Sequence, residues 1–87
     1  MAPPMPNDSW TPKTIVKVSF WRDPKTGQID HLAPFAVSDR TGRHAGQYED
    51  EPQILAEIGP DTSVAYFEAQ WIDGRWVFGH RVADETW

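Results

Sequence analysis

The stretch YFEAQWIDGRWVFGHRV (residues 66–82) gathers two of the chain's five Trp and two of its four Phe residues around one Asp-Gly pair. Asp-Gly between alternating apolar segments signals a two-residue β-hairpin, because a type I′ turn needs positive φ at both central positions and matches the strand twist. With Asp73-Gly74 as the loop, Ile72 stands opposite Arg75, Trp71 opposite Trp76, Ala69 opposite Phe78, Phe67 opposite His80 and Ala65 opposite Val82. The face that carries the last four of these pairs is almost wholly apolar. The reverse face pairs Tyr66 with Arg81 and Gln70 with Val77 and carries Glu68, a solvent-facing pattern. The aromatic cluster therefore reads as the core face of a small sheet, and Trp71→Ala is expected to cost roughly 3–5 kcal/mol.

Upstream, TIVKVSFWR (residues 14–22) alternates, with Val16, Val18 and Phe20 on one face and Ile15, Lys17, Ser19 and Trp21 on the other. DPKTGQ follows: Asp-Pro favours the start of a turn and Gly27 can take positive φ, so the chain should reverse into IDHLAPFAV. Pro34 has no N–H for a ladder, which places this second strand at a sheet edge or bends the chain near Ala33. SDRTGRHAGQY (residues 38–48) has two glycines and no apolar period, and reads as an exposed loop. DEPQILAEIGP then carries helix punctuation: Asp50 as N-cap, Pro52 in the first turn, Gln53 at capping-box spacing, Gly59 at the stop and Pro60 beyond it. About two turns are expected, with Ile54, Leu55 and Ile58 on one face. The expected fold is therefore α+β, a single four-stranded antiparallel sheet with one short helix packed on one face, in the order ββαββ.

The 87 residues fit a single domain. Three prolines in the first six residues suggest a disordered Pro-rich arm over residues 1–12, ahead of one α+β domain over 13–87. No apolar run approaches the ~20 residues that span a bilayer, and MAPPMPNDSW lacks the basic and apolar parts of a secretory signal. The absence of Cys removes disulfides and thiolate chemistry and suits a cytoplasmic protein. Residues 1–48 hold six Lys/Arg and four Asp, net +2, whereas residues 49–87 hold two Arg and nine Asp/Glu, net −7. Such a balance disfavours direct binding of nucleic acid, whose phosphates need Lys/Arg, and favours a basic protein partner.

No motif points to catalysis or to a cofactor. His31, His44 and His80 lack metal-ligand spacing, and no metal or cofactor site is expected. His80, facing Phe67, reads as a core-edge histidine and His31 as a polar residue on the edge strand. Ser19, Ser38 and Ser63 lack a nucleophile elbow, and no Gly-rich phosphate loop occurs. Surplus aromatics outside the hairpin, Trp10, Trp21, Tyr48 and Trp87, suit either a protein interface or closure of the ends of the core. The expected function is thus a small acidic, non-catalytic protein-binding protein that occupies a basic, nucleic-acid-handling surface. Its expected partner-binding residues are Glu49, Asp50, Glu51, Glu57, Tyr66, Glu68, Trp21 and Tyr48. By type this matches the small phage inhibitors of bacterial defence systems, anti-CRISPR proteins among them; the analogy rests on size, charge and lack of motifs, not on a residue pattern. A homodimeric adaptor, joined through an edge strand or the aromatic surface, is the alternative, and a small enzyme with a motif-free site the second.

Overall fold

The alternating pattern of the first and last strands is realised in a computed structural model, which describes residues 14–84. The expected arm over residues 1–12, with Trp10, and the C-terminal Trp87 lie outside these residues. The elements are β1 (Thr14–Ser19), β2 (Trp21–Arg22), β3 (Ile29–Asp30), β4 (Phe35–Asp39), β5 (Gly46–Tyr48), α1 (Pro52–Leu55), β6 (Val64–Ile72) and β7 (Arg75–Val82). Five strands form one antiparallel sheet in the order β5-β4-β1-β6-β7, and β2 and β3 form a separate two-stranded ribbon. The described residues are mostly β with a single helical turn, so the expected single four-stranded sheet is corrected, among these residues, to five strands plus two.

Three local causes account for the difference. The segment expected as one edge strand splits in two, because the Asp30 carboxylate accepts the N–H groups of Leu32 (2.9 Å) and Ala33 (3.1 Å), turning the chain ahead of Pro34. Beyond that bend β4 pairs with β1, Val37 opposite Val18, and is an interior strand. His31 consequently leaves the edge. Its Nε2 donates to the Thr62 carbonyl at 2.8 Å and its ring packs edge-on against Phe20. Secondly, the expected loop over residues 38–48 ends in a strand: Asp39 accepts the N–H groups of Thr41 and Arg43, the chain reverses, and Tyr48, Gln47 and Gly46 pair with Phe35, Ala36 and Val37.

The third cause is Pro52. A residue before proline is driven out of the helical region, so Glu51 is extended (φ −104°, ψ 90°) and becomes the N-cap in place of Asp50, which takes φ 58°. Glu51 makes no side-chain cap, and Gln53 turns to Glu57 at 2.8 Å instead of closing a capping box. Four residues of helix remain, half of the expected length.

The hairpin turn is as expected: Asp73 and Gly74 both have positive φ, with Ile72 opposite Arg75, Trp71 opposite Trp76 and Ala69 opposite Phe78. Beyond Phe78 the register slips. Phe67 faces Arg81 and Tyr66 faces Val82, so Glu68 meets two residues of β7, Gly79 and His80. The bulge overturns the expected pairing of Phe67 with His80, and the His80 side chain is 81% exposed, not a core-edge histidine.

The buried residues form one cluster: Val16, Val18 and Phe20, then Phe35 and Val37, then Ala65, Phe67 and Ala69, joined by Ile54 and Trp76. Ile54 carries the helix's contribution. Trp71 is only half-buried, so the larger loss expected at Trp71 moves to its neighbour Trp76, which is 2% exposed. Trp76→Ala is expected to lower stability by about 3–5 kcal/mol and Trp71→Ala by clearly less, read from urea unfolding midpoints of the two variants.

Candidate partner-binding groove

Strands β5 and β7 are opposite edges of the sheet, yet the sheet curls enough to bring them into contact. The Trp76 backbone N–H donates to the Tyr48 hydroxyl at 2.8 Å, and the Trp76 indole N–H donates to the His44 carbonyl at 3.1 Å. Tyr48 also packs edge-on against Phe78, with ring centroids 5.5 Å apart. His44, held at φ 59°, lays its ring on Trp71 at 3.8 Å and 9° from parallel. Turn, strand edge and hairpin tip thus assemble one aromatic shelf from residues distant in sequence.

This seam opens into a groove of about 460 Å³, walled by His44 to Glu49 on one side and by Trp71, Gly74 and Arg75 on the other, with Glu51 between. The Arg75 guanidinium lies 5.5 Å above the Tyr48 ring and pairs with the Glu51 carboxylate. Arg75 is 54% exposed and Glu51 only 15%. A second, more apolar groove of about 660 Å³ continues between α1 and β7, lined by Pro52, Ala56, Val77 and Phe78, and shares Glu51 and Arg75 with the first. The Arg75–Glu51 pair is the ridge between them.

The eight expected binding residues do not form one surface. Tyr48, Glu49 and Glu51 meet in the groove, and Asp50 is exposed beside them. Glu57 is drawn to the far half of β7, where His80 Nδ1 lies 3.4 Å from it and the Arg81 guanidinium reaches its carbonyl. Tyr66 and Glu68 point away from the core between the inward residues of β6. Trp21, 50% exposed, stands on the ribbon beside Asp30, Ala33 and Pro34. The structure adds residues outside the expected binding set: His44, Gln47, Trp71 and Arg75. Asp-Gly signalled where Arg75 would emerge, but nothing in SDRTGRHAGQY signals that His44 would reach Trp71.

Among the described residues no group of three or more His, Asp and Glu side chains is placed to hold a metal ion. No helix there is long and apolar enough to cross a membrane. No protein-family model, curated protein or solved structure matches the chain.

Two tests follow from this geometry. Tyr48→Phe removes the acceptor for the Trp76 N–H and should cost about 1–2 kcal/mol, with faster hydrogen exchange at that amide. Glu57 is held below its ordinary value of 4.5: partial burial pushes the carboxyl up, but hydrogen bonds from Gln53, His80 and the Arg81 backbone, with the charge of His80, outweigh it. A folded-state value below the unfolded one adds stability that is present above the unfolded value and lost as pH falls through the folded one. The stability difference between wild type and Glu57→Gln should therefore shrink on acidification below the carboxylate range, as measured by urea unfolding at each pH.

Proposed function

We propose that this protein is a small acidic binding protein without a reaction of its own, which sets the groove end of the molecule against a basic, nucleic-acid-handling surface of a protein target. The observation that carries this reading is the composition of that end. A shelf of Trp71, His44 and Tyr48 lies beside the carboxylates of Glu49 and Glu51, and among the described residues Glu49 and Asp50 take part in no ion pair. Aromatic rings provide contact area with few rotors to immobilise, and the unpaired carboxylates supply the charge that a Lys/Arg surface attracts. In its specific form the protein is an inhibitor that excludes nucleic acid from its target, as a phage-type inhibitor of a bacterial defence enzyme would.

The homodimer is less well supported. Strand β7 ends the sheet order, but its edge is already met by Tyr48 and flanked by α1, and a two-fold antiparallel pair centred on Phe78 would set Arg75 opposite Arg81 of the second copy. Like charges across strands disfavour that pairing.

Salt separates charge-driven docking from apolar docking. Going from about 0.1 M to about 1 M salt shortens the Debye length from about 10 to about 3 Å, so affinity for a target recovered from the native host should fall steeply. Glu49→Lys combined with Asp50→Asn, which tolerates the left-handed φ of 58° there, should weaken binding and leave the melting curve close to wild type. Affinity unmoved by salt and by that double variant would sink the proposal. Glu51→Lys is a different test, since it also strips Arg75 of its partner.

A further inference from the structure

The ridge between the two grooves is itself informative, because it shows a guanidinium already held at this place. Arg75 lies over the Tyr48 ring and pairs with Glu51, the two contacts by which proteins recognise a foreign arginine. It is a weak occupant. An ion pair whose cation is open to solvent contributes little and exchanges readily, and Arg75 is 54% exposed while Glu51 is 15% exposed. Glu49, on the rim of the same groove, has no cation of its own among the described residues. Swinging Arg75 aside would also join the aromatic groove to the apolar one beyond it, where Val77, Ala56 and Pro52 line the wall.

We infer that Arg75 is a resident stand-in for an arginine of the partner, and that the partner presents an extended segment in which this arginine is followed two residues later by an apolar side chain. The incoming guanidinium takes the place over Tyr48 and against Glu51, with Glu49 as a second acceptor, while the apolar side chain enters the groove along Val77. Side chains two apart in an extended segment project from one face about 7 Å from each other, a spacing suited to two adjoining grooves. Charge complementarity favours the incoming arginine over the resident one, because the groove lining carries two carboxylates, Glu49 and Glu51, against the one guanidinium of Arg75. The inference rests on the acidic-surface proposal and narrows it to one chemistry.

The test uses the full chain, labelled with ¹⁵N, and the acetylated and amidated pentapeptide GRGLG as probe. Saturable shifts are expected at the Trp71 indole N–H and at the amides of Gln47, Tyr48 and Val77. Replacing the probe's Arg by citrulline should abolish them, replacing it by Lys should weaken binding several-fold, and replacing its Leu by Gly should weaken binding a few-fold. Arg75→Ala, which removes the competitor, should tighten binding about 2- to 5-fold, the factor that an exposed ion pair sets. Glu51→Gln breaks the same pair from its other side and should weaken binding. That opposition of sign distinguishes competition from mere loosening of the ridge, which would move both variants alike.

Unchanged or weaker binding by Arg75→Ala would overturn the inference, as would shifts confined to other regions. Equal binding of the Arg and Lys peptides, both lost in high salt, would also overturn it while leaving the acidic-surface proposal standing. A salt-insensitive native target would overturn that proposal instead, with arginine selectivity of the groove still measured by the peptide.

Discussion

The structure depends on the closure of an open sheet by one residue. Five antiparallel strands leave two edges, and a twisted sheet of this size must either protect them or bend them together. Here Trp76 on β7 reaches across with both of its N–H groups, to the Tyr48 hydroxyl on β5 and the His44 carbonyl in the turn before it, while its indole fills the end of the core. Directional bonds and apolar burial act at the same point. The crossover from β5 to β6 carries α1 over the remaining gap, and Ile54, wholly buried, anchors it there. The stacking of His44 on Trp71, the packing of Tyr48 on Phe78 and the Glu51–Arg75 pair reinforce the same seam.

Closure also decides how the acidic charge is distributed. The nine acidic residues of the second half look interchangeable in the sequence, but the fold sorts them by neighbour. Glu51 is bound to Arg75, and Glu57 is engaged by Gln53, His80 and Arg81, so both are partly spent on internal contacts. Glu49 and Asp50 are left exposed beside the aromatic shelf. Pro52 produces this arrangement. It forces Glu51 into an extended conformation, and the Glu51 carboxylate, instead of capping the helix, pairs with Arg75 on β7.

What could be read from the residues followed the range of the interaction concerned. The inward set Val16, Val18 and Phe20 and the hairpin turn at Asp73-Gly74 depend on alternation and on local φ, and both were legible. Strand β5 was not, because Gly46, Gln47 and Tyr48 contain one apolar residue and no period; they form a strand only because β4 offers them an edge. The slip at Gly79 was equally hidden: a two-residue turn sets the register from the tip, but the bulge lies opposite Glu68, several residues away. The groove was half legible: Tyr48, Glu49 and Glu51 were singled out by type, whereas His44 and Arg75 join them only through the curl.

The central position of β1 has a consequence for the making of the protein. Thr14–Ser19 is the first described strand to leave the ribosome, and β4 can pair with it as soon as the ribbon has turned. Its other edge belongs to β6, which is synthesised only after β5 and α1. Throughout that interval Val16 and Val18 lack the cover of Phe67 and Ala65, and an unpaired row of backbone groups faces outward. A nascent chain in this state is a sticky half-sheet, and its escape from aggregation is a race against the arrival of the final hairpin.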